Sequence, residues 1–428
     1  MPGLRDRSVE RGRTRAPARG GRATLWALAL ALALACGPPD DAVRPGDSAS
    51  GPAWDATGVP LRVEDGPGWL PEQAWRLERD LVVGEVDGPL AFGRLADVAP
   101  RAAGGLWALD AQAARVRGFD GEGRETVSLG GRGDGPGELR APVGVVETED
   151  GRIAVLETFP PRITWFDGEG RPAGRTRLAA SDATSGPGAT PRFATWSVAA
   201  DGTAYADAFG MPLAGGEAEV RHLLLRLRDS DGDTPAADTL LAWTVAAPIP
   251  VPGGRIPVLP ARPSWALAAD GSVRWTPGTP YEVGTFTAEG RLAAMVRRSV
   301  AAEPVTPAVR RALAEEIRRS LSEGRESAAP AGVLERLSFP DRLPHVAGLW
   351  VSRPDGAMYV ARYTASSVRE GRARAVDAFA PDGSFLGEMA LPRGFAPRSF
   401  TTEAAYGVWE DELGVPFAAR YRIVRPGP

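Results

Sequence analysis

The chain has 428 residues, 43% of them apolar and 24% charged, which is the balance of a folded globular protein and not of a disordered one. It has no lysine and no asparagine, so all 50 basic residues are arginine, set against 54 acids, two histidines and one cysteine. A single cysteine excludes an intrachain disulfide, and two histidines without a second cysteine exclude the usual structural zinc site. The net charge of −4 becomes −9 once residues 1–35 are set aside, which argues against nucleic-acid binding.

The first element is a basic segment with seven arginines between Arg5 and Arg22, followed by an uncharged run from Leu25 to Ala35. A basic region followed by an apolar one of this length is an export signal, because about 20 apolar residues are needed to span a bilayer comfortably. The run ends Leu32-Ala33-Leu34-Ala35-Cys36-Gly37 and resembles the bacterial lipobox, in which small residues precede a cysteine that is lipidated and becomes the mature N-terminus. Ala33 stands where leucine is commoner, and the alternative is a plain secretory signal beside an incidental cysteine. The long basic segment also leaves open a start codon downstream of Met1. Residues 36–58, rich in Pro, Gly, Ser and Asp, read as a flexible tether because they cannot bury enough surface to order themselves.

Past the tether a unit repeats: a glycine followed by a short β-prone run. It begins at Gly105, Gly151, Gly202, Gly271, Gly356 and Gly407, with Asp immediately before four of the six. The clearer copies continue into a second strand and a second turn, at Gly123, Gly170, Gly290 and Gly383. Two hairpins in succession make a four-stranded antiparallel blade. The leading glycines are 46, 51, 69, 85 and 51 residues apart, so the short intervals fit one blade each and the long ones a blade with an insertion. The expected fold is all-β: a six-bladed β-propeller of four-stranded antiparallel blades over residues 59–428. A ring must close, and the segments around 80–86 and 420–424 are predicted to share one blade.

These units, with Gly130-Gly-Arg-Gly-Asp-Gly-Pro-Gly-Glu138-Leu139 and Pro142 after it, resemble the six-bladed propellers of bacterial lipoproteins related to NHL repeats. Leu139 stands where that family usually has Phe. The resemblance is strongest over 104–178 and implies a fold far more than a function.

The longest interval holds one predicted helix, within an insertion of about 304–338: Thr306 caps, Pro307 starts, Val309, Leu313, Ile317 and Leu321 share a face, and Gly324 ends it. Packing over a blade is its simple role; docking a partner is the sharper one.

Candidate chemistry is sparse. Propeller enzymes, calcium-dependent lactonases and zinc lyases among them, place His, Asp, Glu and Asn at the central channel, and this chain offers only His222, at a strand end, and His345, the weak channel candidate. Asp229-Ser-Asp231-Gly-Asp233 has alternating carboxylates but Thr234 and Leu240 where a calcium loop needs Gly and a bidentate acid, so it reads as a solvated turn. The glycines from Gly130 to Gly137 lack the Lys of a phosphate loop and read as a tight connection between blades. No nucleophile elbow occurs, and the 12 tryptophans are read as packing between sheets.

The expectation is a non-catalytic, lipid-anchored propeller of the cell envelope, joined to the membrane through Cys36 and binding a protein or an extracytoplasmic ligand. No metal or other cofactor is assigned. Gly37 after the cysteine, in place of an inner-membrane retention aspartate, favours the outer membrane. The rival reading is a metal-dependent propeller hydrolase or lyase, lactonase-like, with carboxylates gathered in the channel.

Overall fold

The computed structural model describes residues 58–178, 190–211, 219–228, 236–246, 255–322 and 332–426. Cys36, the export signal, the tether up to residue 57, the 229–233 turn and Gly324, the expected end of the helix, lie outside them.

Six antiparallel sheets follow one another along the chain, and each is called a blade with strands A to D from the axis outward. Blade 1 is Leu95–Pro100, Leu106–Asp110, Arg115–Phe119 and Glu125–Gly130, and blade 2 is Pro142–Glu147, Ile153–Thr158, Pro161–Phe166 and Pro172–Arg177. Thr190–Val198, Ala204–Met211, Glu219–Arg228 and Ala236–Ala246 form blade 3, and Ser264–Leu267, Val273–Thr276, Glu282–Phe286 and Leu292–Arg297 form blade 4. Val346–Val351, Met358–Arg362, Ala375–Phe379 and Phe385–Ala390 form blade 5. Blade 6 takes three strands from the C-terminus, Phe395–Phe400, Ala404–Glu410 and Pro416–Val424, and its strand D, Arg76–Val83, from the start of the chain. That strand D pairs antiparallel with strand C, Arg79 beside Tyr421 and Val83 beside Ala418, as ring closure requires.

The alternation of apolar and polar residues becomes packing at the seams between blades. Six buried clusters sit one at each seam: Leu129 and Leu139 against Val155 between blades 1 and 2, Trp243 against Trp275 between 3 and 4, Tyr359 stacked on Phe400 between 5 and 6. The seam between blades 6 and 1 is filled by Leu81 and Val83 of the closing strand against Val98 and Leu106. The tryptophans Trp107, Trp165, Trp196, Trp243 and Trp275 are buried, in keeping with a packing role.

Five of the six repeat glycines do form the A–B turns, each with positive φ: Gly105, Gly151, Gly202, Gly271 and Gly356. Gly407 does not. It stands inside strand B of blade 6, where a Cβ would lie 2.2 Å from the Ala396 carbonyl oxygen, and the A–B turn there is made by residues 401–403 with Thr401 Oγ1 accepting from the Ala404 N–H at 3.1 Å. At Gly105, φ is +82° and a Cβ would meet the Phe119 carbonyl oxygen at 2.1 Å. Gly105→Ala is therefore expected to cost about 2–4 kcal/mol in thermal or urea unfolding. Gly121→Ala, where nothing lies within 4 Å, is expected to be near neutral and serves as the control.

Two features go beyond the expected plan. Blade 4 carries a fifth strand, Leu61–Val63, parallel to its strand D with Leu61 beside Met295 and Val63 beside Arg297. The chain thus enters at the face of the A–B and C–D turns and runs toward the opposite face. It then passes over the outer edge of blade 5, where Gly68 and Gly387 approach so closely that a Cβ on Gly68 would lie 2.6 Å from the Gly387 Cα.

The second feature is a cap on that opposite face. Helix α1, Pro307–Ser322, forms where predicted, with Thr306 Oγ1 accepting from the Val309 N–H at 3.4 Å. Its apolar face packs less on a blade than on a small core of its own: Val309 and Leu313 meet Val258, Leu259, Leu337, Leu343 and Val368. A second, unanticipated helix, α2 (Ala365–Glu370), supplies Val368 from the B–C connection of blade 5. It is capped by Thr364 and ended by Gly371 at φ +68°. A parallel pair, Ile256–Pro257 with Leu337–Ser338, ties the insertion to the connector before blade 4.

Candidate functional site

The innermost strands carry a shared irregularity. In blades 1, 2, 3, 5 and 6 the A–B pairing skips one residue of strand A, namely Ala96, Val143, Ala194, Ala347 and Arg398. A bulged residue leaves the ladder and is re-aimed. All five retain solvent exposure although they stand on the strands nearest the axis, and Val143 is 39% exposed. Four are small and apolar; the fifth is a guanidinium.

Arg398 donates from Nε to the carbonyl oxygen of Ala96, the bulge residue of blade 1, at 3.2 Å. Burial lowers its pKa, while the charges of Asp97 and Glu410 oppose that, yet neither carboxylate makes an ion pair with it. Both are occupied elsewhere. Asp97 accepts from the Val145 N–H and the Val98 N–H, each at 2.9 Å, and burial raises its carboxyl above the ordinary value. Glu410 faces Arg372 at 3.4 Å. At the other end of the ring Arg353 crosses from blade 5 to the Val198 carbonyl oxygen of blade 3 at 3.0 Å and narrows the axis at the turn face.

Above Arg398 lies a cleft of about 180 Å³ between α1, α2 and the inner strands of blades 5 and 6. Trp350, Tyr363, Ala347 and Pro397 give it apolar walls, with the Trp350 ring edge-on to Phe400 at 5.8 Å. Burial raises the pKa of the Tyr363 hydroxyl, so it stays protonated.

The residues singled out from the sequence are not in this cleft. His345 does not turn to the channel: its Nε2 lies 3.0 Å from the Val300 carbonyl oxygen and its Nδ1 3.4 Å from Thr279 Oγ1, at the seam of blades 4 and 5. A carbonyl partner makes Nε2 the protonated nitrogen, and burial lowers the ring's pKa against that hydrogen bond, so His345 is neutral and structural. His222 is inside strand C of blade 3, not at a strand end. Its Nδ1 is 2.7 Å from Asp207 Oδ1, and its ring is stacked between Phe209 and Trp243. The Gly130–Leu139 stretch joins blade 1 to blade 2, with Leu139 fully buried at their seam and Arg175 donating to the carbonyl oxygens of Asp134, Gly135 and Glu138.

No family model matches this sequence, and no curated protein does. Solved structures similar to it include a streptogramin B lyase, at 9% identity with a TM-score of 0.41 over 83% of this chain and 100% of that one. A Bacteroides fragilis protein proposed to be exported has 8% identity and a TM-score of 0.47 over 86% and 100%. A calcium-binding regucalcin from Agrobacterium tumefaciens has 11% identity and a TM-score of 0.36 over 85% and 96%. Identities this low say nothing of chemistry, and the propeller stands on its own sheet order.

Among the described residues no three His, Cys, Asp or Glu side chains gather to hold a metal ion. The bulge positions nearest the axis supply alanine, valine and a guanidinium, none of them a ligand for a hard cation. A resident divalent ion of the lactonase kind does not fit these residues.

Arg398 was not legible beforehand, being one arginine among 50. The available signal was alignment of the six strands A, which sets it against Ala96, Val143, Ala194 and Ala347.

Proposed function

We propose that this chain is a lipid-anchored, non-catalytic propeller of the bacterial cell envelope that binds its ligand at the capped face. The observation that carries this reading is orientation. The described chain enters at the turn face, beside strand D of blade 4, whereas the cap, the cleft and Arg398 occupy the opposite face. An anchor at Cys36 would therefore attach on the face opposite the cleft and leave the cleft unobstructed by the attachment. No helix among the described residues is long and apolar enough to cross a membrane. In this reading the acylated cysteine supplies the attachment.

In cells, the full chain is expected to sediment with membranes and to incorporate labelled palmitate. Cys36→Ala, made behind a cleavable secretory signal in place of residues 1–35, should release a folded, unlabelled protein into the soluble extracytoplasmic fraction. A variant that keeps its label, or that stays in the membrane fraction after a high-salt wash, would count against the anchor. Ligand recovered chemically altered after incubation would count against a non-catalytic role.

A further inference from the structure

We propose that the cleft binds a small organic carboxylate with an apolar, ring-sized body, its carboxylate on Arg398 and its body against Trp350. This deepens the binding reading and rests on it.

The argument is one of unmatched charge. Four arginines and four glutamates line the cleft: Arg319, Arg369, Arg372 and Arg398, with Glu315, Glu316, Glu370 and Glu410. Glu316 pairs with Arg319, and Glu410 with Arg372. Glu315 and Glu370 are matched from just outside, by Arg318 at 2.5 Å and Arg374 at 3.4 Å. Among the described residues Arg369 and Arg398 make no ion pair, so a lining balanced in number still holds two arginines without a carboxylate partner. Arg369 is exposed; Arg398 is half-buried.

A guanidinium has five N–H donors, and Arg398 uses only Nε. Its two terminal nitrogens find no acceptor in the described protein, yet they are not sealed from solvent. A planar fork with two free ends matches a carboxylate in the bidentate geometry. The walls explain the rest of the ligand. Trp350 is half-buried, with Ala347, Ala361 and Pro397 beside it, and the other half-buried arginine of the lining, Arg372, is already paired with Glu410. A cleft of about 180 Å³ has room for one small ring or a short chain.

The test uses the full chain in detergent, 3-phenylpropionate, its neutral amide and inorganic phosphate, followed by calorimetry or thermal shift. For so small a ligand a dissociation constant on the order of 1 mM is expected. The amide should bind at least about tenfold more weakly, since it cannot form the charge-assisted pair. Arg398→Gln should abolish carboxylate binding and Arg398→Lys should retain part of it, while Arg369→Gln, at an exposed position, should change affinity by no more than about threefold. Phosphate alone should bind more weakly than the carboxylate, because it gains nothing from Trp350.

The comparison of acid with amide needs no variant, so it decides even if Arg398→Gln fails to fold. Equal binding of acid and amide would overturn the carboxylate assignment while leaving a ligand-binding cleft in place. Phosphate binding tighter than 3-phenylpropionate would overturn the apolar-body assignment. Absence of binding by all three would sink the proposal outright; the Cys36→Ala fractionation tests the anchored-propeller reading separately.

Discussion

Glu157→Gln is expected to destabilise the propeller by about 3–5 kcal/mol, lowering the melting temperature by on the order of 5 °C. Glu157 is the penultimate residue of strand B of blade 2 and is fully buried. Its carboxylate accepts from Arg162 Nε at 2.7 Å and Nη2 at 2.9 Å, from the Thr164 hydroxyl at 2.6 Å and from the Arg140 N–H at 2.8 Å. The amide keeps the shape but turns two donors toward a guanidinium that is itself all donors, and Arg162, only 7% exposed, cannot turn to water. The cost is that of a buried charge left with only Asp134, 3.9 Å away, as a counter-ion, so Glu157→Leu combined with Arg162→Met should recover much of it.

The same site gives a pH signature. Burial by itself would raise the Glu157 pKa, but the bonds from Arg162, the Arg140 N–H and Thr164 outweigh it, and the folded-state value lies below the ordinary 4.5. A depressed folded pKa contributes stability that is present above the unfolded value and lost as the pH falls through the folded one. Stability measured from pH 6 downward should therefore fall less steeply below about pH 4.5 in Glu157→Gln than in the parent. Equal slopes would mean that Glu157 does not carry this term.

Glu157 also shows what a repeat hides. Asp110 in blade 1 and Glu410 in blade 6 occupy the same end of strand B, and Asp110 holds the incoming connector by accepting from the N–H groups of Gly93 at 2.8 Å and Arg94 at 3.1 Å. In the sequence these acids were ordinary polar residues at strand ends. The blades themselves were readable because a turn glycine and a period-two run are local signals, and local geometry forces them. Helix α1 was readable for the same reason. The six-residue α2 was not, since Thr364 and Gly371 bracket too short a span for any periodicity to show.

Gly407 marks the limit of a pattern read by residue type: the glycine was there, but close packing on the Ala396 backbone explains it, not a turn. The cleft was illegible for a deeper reason. It is assembled from α1, α2 and strands of two blades, so its residues run from Ala312 to Glu410 and share no motif. Neither histidine belongs to it, and the side chain that does most to shape it is distinguished only by a bulge, a property of pairing that a single strand does not display.

Removing residues 58–83 is expected to abolish the cooperative unfolding transition, whereas a chain beginning at Gly58 should fold. Strand D of blade 6 contributes seven register pairs to its neighbour and two buried side chains, Leu81 and Val83, to the seam with blade 1. Each such side chain contributes about 1.5–3 kcal/mol on burial, a large fraction of a domain stability of about 5–15 kcal/mol before the lost ladder is considered. Its absence would also bare the edge of strand C along Pro416–Val424, an unpaired strand open to a second chain. Circular dichroism with size exclusion is the measurement: a shortened chain that stays monomeric and melts within a few degrees of the parent would show the closing strand to be dispensable. Val83→Asp provides a milder test of the same seam. The closing pairs join residues far apart in sequence, Glu78 and Arg422 standing 344 positions from one another. The closing strand, made near the start of the chain, thus waits for nearly the last before the ring can shut, and loop closure over that distance delays the step that seals the final seam. A propeller closed in this way stays open until synthesis is almost complete, which suits a chain proposed to be threaded across a membrane before it folds.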